Sequence, residues 1–444
     1  MILRLVAVPE LWEIIAQCLA PPDLLHLSTV SRAFNGITEK YLYRKISWTW
    51  NHDKPESSKP IQQLLLNLVR RPELALYIRE FSVQEIGYGP TPPMHADSNS
   101  LGDANVVVRS LIQEAELSPS EDWIEGVLDL EIETIVALII LLLRNVEVLV
   151  IDMFHCDEEY GSPTPNFSPI GDVLRLTCEP HSITRATKFE RLKSFSWPSG
   201  DAECFLGLIR KGEVLDKLPI FRAPRLKEVS LKLSYLEPSL DAAMPTISCS
   251  GSLTSLTLRY TTVAESFLKQ LLSQMKNLES FRLDLYRSPK AYIFDGQSIS
   301  QGLMPCREVL RHLTVHWEAC DEYIKVDVPS STPLGSLKGF SALESIDATS
   351  SAVIDDDLAL GGVLPLTLKV LVLREGLYDI NVSWDEGLGS VLEEFVDLSP
   401  VRTPCLAELR VGVWGLSGER AEHDLKDKYR QSHGVEVSFF ELQH

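Results

Sequence analysis

Cations are scarce in this chain. Its 444 residues hold 42 Lys and Arg against 62 Asp and Glu, a formal net charge of −20 at pH 7. Nucleic-acid binding depends on clustered cations that displace counterions, so nucleic acid is not expected as a partner. Close-set cysteines are missing as well. The eight cysteines are scattered with no C-x-x-C pair, which suggests neither a zinc site nor a disulfide framework. Free thiols in a reducing compartment follow. Long apolar runs are absent: the longest, Ile135 to Leu143, has nine residues, about half of what a membrane helix needs. The opening Met1 to Val6 is too short for a secretion signal and is soon interrupted by Pro9-Glu10, so cytoplasm or nucleus is the expected location, with no membrane partner. Neither a G-x-x-x-x-G-K phosphate loop nor a G-x-S-x-G nucleophile elbow occurs. No enzymatic activity and no cofactor are therefore expected. A hydrophobic content of 45% with 23% charged residues is that of a soluble globular protein.

What is present begins in the first fifty residues. Pro9 suits the first position of a helix, and Glu10 complements its positive start. Leu11, Ile14, Ile15, Cys18 and Leu19 recur at helical spacing, with Trp12 and Ala16 widening the apolar arc. Pro21-Pro22 stops that helix, and Asp23 is a plausible cap for a second through Leu24, Leu27, Val30 and Phe34. Tyr41 to Ile46 would form a short third element. Three such short helices cannot bury their large apolar side chains against one another, which predicts a permanent partner surface. An amphipathic cap on the downstream domain is the plainer alternative.

The ordered words Val8-Pro9-Glu10, Pro22-Asp23-Leu24-Leu25, Val30-Ser31-Arg32 and Leu42-Tyr43-Arg44 resemble the F-box, the helical module that joins a substrate receptor to a cullin-based ubiquitin ligase. Val8 stands where that family usually has leucine, and Phe34 where many members have tryptophan. By matching position, the resemblance implies that Val8, Pro9, Leu11, Ile14, Leu19, Leu24, Leu25, Val30 and Phe34 contact a Skp-type adaptor, and cullin through it.

Beyond a polar, proline-containing linker at 51–60, an apolar residue recurs at i, i+3 and i+5. The starting residues are Ile78, Val146, Leu192, Leu226, Leu253, Leu278, Leu310, Leu343, Leu368 and Leu406. Positions i+3 and i+5 share one parity, so the pattern reads as a strand with both side chains turned to a core. It resembles the strand of leucine-rich repeats, which stack a parallel sheet against helices. Helices are expected at 61–69, 132–143, 202–209, 263–275 and 391–398, and Val435 to Phe439 as a terminal strand. Intervals between starts vary from 25 residues (Leu253 to Leu278) to 68 (Ile78 to Val146), and the family's asparagine at i+8 is missing. Segments 87–102 and 156–171 look like exposed loops, and the acids from Glu114 to Glu133 like a solvated helix face. The expected fold class is α/β: a short three-helix F-box over 1–50, a linker over 51–60, and an irregular leucine-rich-repeat-like solenoid with a parallel sheet over 61–444.

The same register aims i+2, i+4 and i+6 away from the core. That face carries Lys232, Arg259, Arg282, Asp284, His312, His316, Arg374 and Arg410, the candidate contacts for an unknown target protein. Guanidinium groups are the usual partners of carboxylate or phosphate. Ordinary exposed ion pairs with Asp284 are the alternative. His312, His316 and Cys320 are spaced by four, but four strand residues separate two side chains by about 13 Å, so no metal is expected. His155 to Glu159 reads as an acidic loop. The function expected from the resemblance is the substrate-recognition subunit of a Skp–cullin–F-box ubiquitin ligase. An adaptor-bound scaffold or regulatory interaction protein acting outside ubiquitin transfer is the alternative.

Overall fold

The computed structural model describes residues 9–51, 54, 59–86, 102–118, 120–128, 131–152, 168–178, 189–197, 216–233, 249–261, 263, 265–287, 295–319, 332–354, 360–374, 389–413 and 435–442. The chain divides into two compact units, Met1–Leu226 and Lys227–His444. Both are leucine-rich-repeat-like α/β structures, with strands parallel and in sequence order.

The first unit opens with three helices, α1 (Pro9–Cys18), α2 (Pro21–Val30) and α3 (Arg32–Leu42). The expected second helix is cut in two at Ser31. Its backbone is extended (φ −161°, ψ 162°), and its hydroxyl accepts from the Phe34 N–H at 3.3 Å, capping α3. Helices α1 and α2 both pack on α3. The expected third element at 41–46 is also divided, since Tyr41 and Leu42 end α3 while Lys45 opens a strand.

That strand, β1 (Lys45–Asn51), pairs in parallel with β2 (Glu80–Ile86), placing Ile46 beside Phe81 and Trp48 beside Val83. Tyr43, Ile46 and Trp48 thus occupy i, i+3 and i+5 of one more repeat. The linker expected over 51–60 starts at the last residue of β1; residues 52–53 and 55–58 lie outside the described residues. Strands β3 (Val148–Asp152) and β4 (Ser194–Trp197) follow in register.

Helix α4 (Lys59–Arg70) lies between β1 and β2, and α5 (Gly102–Glu114), α6 (Ser120–Leu128) and α7 (Ile132–Leu142) fill the longest interval. Helix α7 packs against α4, α6 and α8 (Pro169–Cys178), which explains why it is apolar all round. Among the described residues no helix is long and apolar enough to cross a membrane. Of the acids expected on a solvated face, Glu121, Asp122 and Glu125 are exposed on α6. Segment 156–171, read as a loop, ends differently: Pro169, Ile170 and Gly171 are buried and open α8. Ser168 is buried just before it, while residues 156–167, His155 to Glu159, the loop at 87–101 and the helix expected at 202–209 lie outside the described residues.

The second unit carries β5 (Glu228–Lys232), β6 (Ser255–Thr261), β7 (Ser280–Arg287), β8 (His312–Ala319), β9 (Ser345–Thr349), β10 (Val370–Arg374), β11 (Glu408–Val413) and β12 (Glu436–Glu441), each paired in parallel with the next. Between them lie α9 (Glu265–Ser273), α10 (Gly296–Leu303), α11 (Ser350–Val353) and α12 (Gly389–Arg402). Helices α9 and α10 touch closely at Gly302, where a Cβ would stand 3.0 Å from Lys269 Cα.

Every residue predicted at i, i+3 and i+5 is buried, Leu406 being the most exposed at 7%. A leucine such as Leu278, fully buried in a shared core, stabilises by its transfer from water and by the cavity it leaves if removed. Leu278→Ala is expected to cost about 2–5 kcal/mol. Leu366→Ala, at a position 61% exposed, should stay within about 0.5 kcal/mol. Urea titration of the two variants checks this, and equal losses would contradict the assigned core.

Candidate functional site

Two surfaces carry the candidate residues. On the N-terminal helices, Ala16, Leu24, Phe34 and Thr38 are buried. Trp12 meets Phe34 edge-on, with ring centroids 4.6 Å apart. Gln17 Nε2 donates to the Tyr41 hydroxyl at 3.1 Å, and Lys40 pairs with Glu13, so α1 is tied to α3 by polar contacts as well. Glu39 accepts from two nitrogens of Arg71 at 2.6 and 2.9 Å, which fastens α3 to the turn after α4.

Of the expected adaptor contacts, Leu24 and Phe34 thus belong to the interior of this unit. Leu11, Ile14, Leu25 and Val30 are exposed, as is Ile15, while Leu19 is half-buried. Pro9 is the first residue of α1, and Val8 lies outside the described residues. Leu11, Ile14 and Ile15 share one face of α1 by their i, i+3, i+4 spacing.

The second surface is the outward face of the second unit's sheet. Parity does the positioning: with Leu283 and Val315 turned inward, Arg282, Asp284 and His316 must face outward. The structure brings Arg282, Asp284, His316 and Arg374 into one chain of bonds through Asp347. Arg282 Nε donates to both Asp284 oxygens at 3.1 and 2.9 Å. His316 Nδ1 lies 3.0 Å from Asp284 Oδ1, and its Nε2 lies 3.0 Å from Asp347 Oδ1. Arg374 closes the series with Nε to Oδ1 of Asp347 at 2.7 Å and Nη2 to Oδ2 at 2.8 Å. Asp284 and His316 are direct partners on β7 and β8, and Asp347 and Arg374 come from β9 and β10. The network therefore stitches four strands.

Burial would push the Asp284 and Asp347 carboxyls up, but hydrogen bonds from His316 and an arginine to each outweigh it and hold both below the usual carboxylate range. Ionised carboxylates only accept, so the contacts at its two ring nitrogens favour the imidazolium form of His316, in which both donate. Burial would lower its pKa; the hydrogen bonds to Asp284 and Asp347 prevail and raise it. With both nitrogens taken, His316 is not available to a metal. Among the described residues no group of three or more His, Cys, Asp or Glu side chains is placed to hold one. Cys320 lies outside the described residues.

The other sequence candidates stand apart. Arg410 is held by Glu408 at 2.6 Å, Arg259 and His312 are exposed, and Lys232 is half-buried opposite Arg259. Asp347 was missing from the predicted set, although position i+4 from Leu343 marks it as outward-facing. Phe440 was missed too. Its ring lies 5.5 Å from the Arg374 guanidinium carbon. Gly412 permits this approach, because a Cβ there would come within 2.8 Å of the Phe440 ring.

No protein-family model matches the chain, and a search of curated proteins finds no relative.

A raised histidine pKa contributes stability that is fully present below the unfolded value, about 6.5, and is lost as pH rises through the folded value. The two carboxylates act with opposite sign, losing their contribution only in acid. His316→Gln leaves a buried carboxylate short of a donor and is expected to cost about 1–3 kcal/mol near pH 6. The difference from wild type should shrink as pH rises from there through the folded-state value, where wild type loses its own proton. Urea midpoints measured across that range check the sign; a difference independent of pH would show that His316 is neutral in the fold.

Proposed function

We propose that this chain is the substrate-recognition subunit of a Skp–cullin–F-box ubiquitin ligase, non-enzymatic in itself. The N-terminal helices bind a Skp-type adaptor, and the outward sheet face of the second unit receives the target protein. The observation that carries this reading is the apolar surface left on α1 and α2. Leu11, Ile14, Ile15, Leu25 and Val30 are between 38% and 67% exposed, beside an interior of a few side chains. Single exposed apolar residues are ordinary, but a cluster on one short helical module marks an interaction surface. The order of its sequence words, from Pro9-Glu10 to Tyr43-Arg44, resembles that of the F-box.

Leu11→Asp combined with Ile14→Asp tests this without touching the interior, since both positions are exposed. Co-purification of a Skp-type adaptor with the full-length chain should be lost, and the unfolding free energy should stay within about 1 kcal/mol of wild type. Undiminished adaptor capture would overturn the reading. Cullin recovered together with the adaptor supports a ligase subunit; adaptor without cullin would mean a role outside ubiquitin transfer.

A further inference from the structure

One row of the outward sheet face in the second unit is neutralised in its middle and open at its ends. Arg282, Thr314, Asp347, Val372 and Arg410 are direct partners on successive strands from β7 to β11. In the middle, Asp347 is filled by His316 and Arg374, and Val372 offers a small apolar spot, 9% exposed. At the ends, Arg282 uses only its Nε on Asp284, and Arg410 only its Nε on Glu408. Their terminal nitrogens have no partner among the described residues, and about half of each side chain is exposed, 44% and 51%. Arg259, on the strand next to Arg282, is exposed and forms no ion pair among the described residues.

We infer that this row docks an acidic, extended segment of a partner protein lying across the strands, with one carboxylate on Arg282 and Arg259 and a second on Arg410. The inference rests on the recognition role proposed above and specifies the class of segment recognised. Four strand spacings of about 4.8 Å separate the two arginines, roughly 19 Å, which an extended chain covers in about six residues at about 3.3 Å each. The planar guanidinium fork suits a carboxylate, and its position is fixed beforehand because Asp284 and Glu408 already hold the Nε edge. Between the two anchors Asp347, His316 and Arg374 already bond to one another, so the middle of the segment needs no charge of its own and places an apolar residue over Val372.

Fluorescence anisotropy on the full-length chain, with labelled synthetic peptides, tests the spacing directly. One peptide carries two glutamates about six residues apart with a valine between them, a second carries them about three apart, and a third has glutamines instead. The first should bind about fivefold tighter than the second, and Arg282→Gln and Arg410→Gln should each lose about fivefold, the range of an exposed ion pair near 1 kcal/mol. Glu408→Gln frees the rest of the Arg410 fork and should tighten binding. Arg410 lies on the surface, so its variant carries the test should Arg282→Gln, which strips a partner from a buried carboxylate, fail to fold. Equal binding of the two spacings, indifference to Arg410→Gln, or no binding of any peptide would overturn the inference. Adaptor capture by the same preparations keeps the two readings apart, because it depends on the N-terminal helices and not on these arginines.

Discussion

The carbonyl at the second position of each bend anchors the strands that follow. Arg44 O accepts from the Arg79 and Glu80 N–H groups at 2.9 and 3.1 Å, and Arg79 O accepts likewise from Glu147 and Val148. The same double acceptance recurs through the second unit, from Lys227 O, Thr254 O, Glu279 O, Arg311 O, Glu344 O and Lys369 O. Because the shared acceptor sits one residue after the i position in each of these cases, the strands that follow enter their ladders with the same parity. A one-residue slip would turn the whole apolar set outward, so this contact fixes which residues face solvent. The asparagine missing at i+8 is therefore not needed for register.

Parity in turn makes the site. Side chains two residues apart on a strand point the same way, and partners on adjacent strands stand about 4.8 Å apart, so charges on this face cannot avoid one another. Opposite signs have settled next to each other in the Arg282-to-Arg374 series of the second unit, and at the bends just before the strands Lys193 pairs with Glu147 and Lys369 with Glu344. Lysine beside each of Glu147 and Glu344 holds the carboxyl below its usual range. In the Arg282-to-Arg374 series the members are buried enough for removal of one to leave another short of a partner, which gives the network its rigidity. The surface pairs contribute far less, about 0–1 kcal/mol.

Much of this was legible in the residues, because a strand face has a period of two and one apolar register repeats along the chain. All ten predicted strands begin at i+2, and the alternating Val435 to Phe439 lies within the stretch that forms and precedes β12. Strand β1 escaped notice because Leu42-Tyr43-Arg44 completes the F-box-like words and Tyr41 to Ile46 reads with them as a third short element. Helix α8 escaped because prolines at 163, 165 and 169 signal a loop, whereas Pro169 is the first residue of a helix, where proline is at home. For the site, register alone placed eight residues on one face, but which of them bond depends on side-chain rotamers and burial. Sequence spacing carries neither, so Asp347 stayed outside the predicted set and Arg410 was grouped with cations it does not touch.

Burial also separates two kinds of charge that sequence counts as one. Asp284 and His316 are almost closed to solvent and satisfy each other, so their charges shape the face without being offered to a ligand. Arg259, Arg282 and Arg410 keep donors in water, where an incoming carboxylate exchanges one solvated contact for another at little desolvation cost. In a chain of net charge −20, an acidic partner is repelled over most of the surface and drawn only where such donors are concentrated. The scarcity of cations is thus what would make a few arginines with donors left in water selective for such a partner.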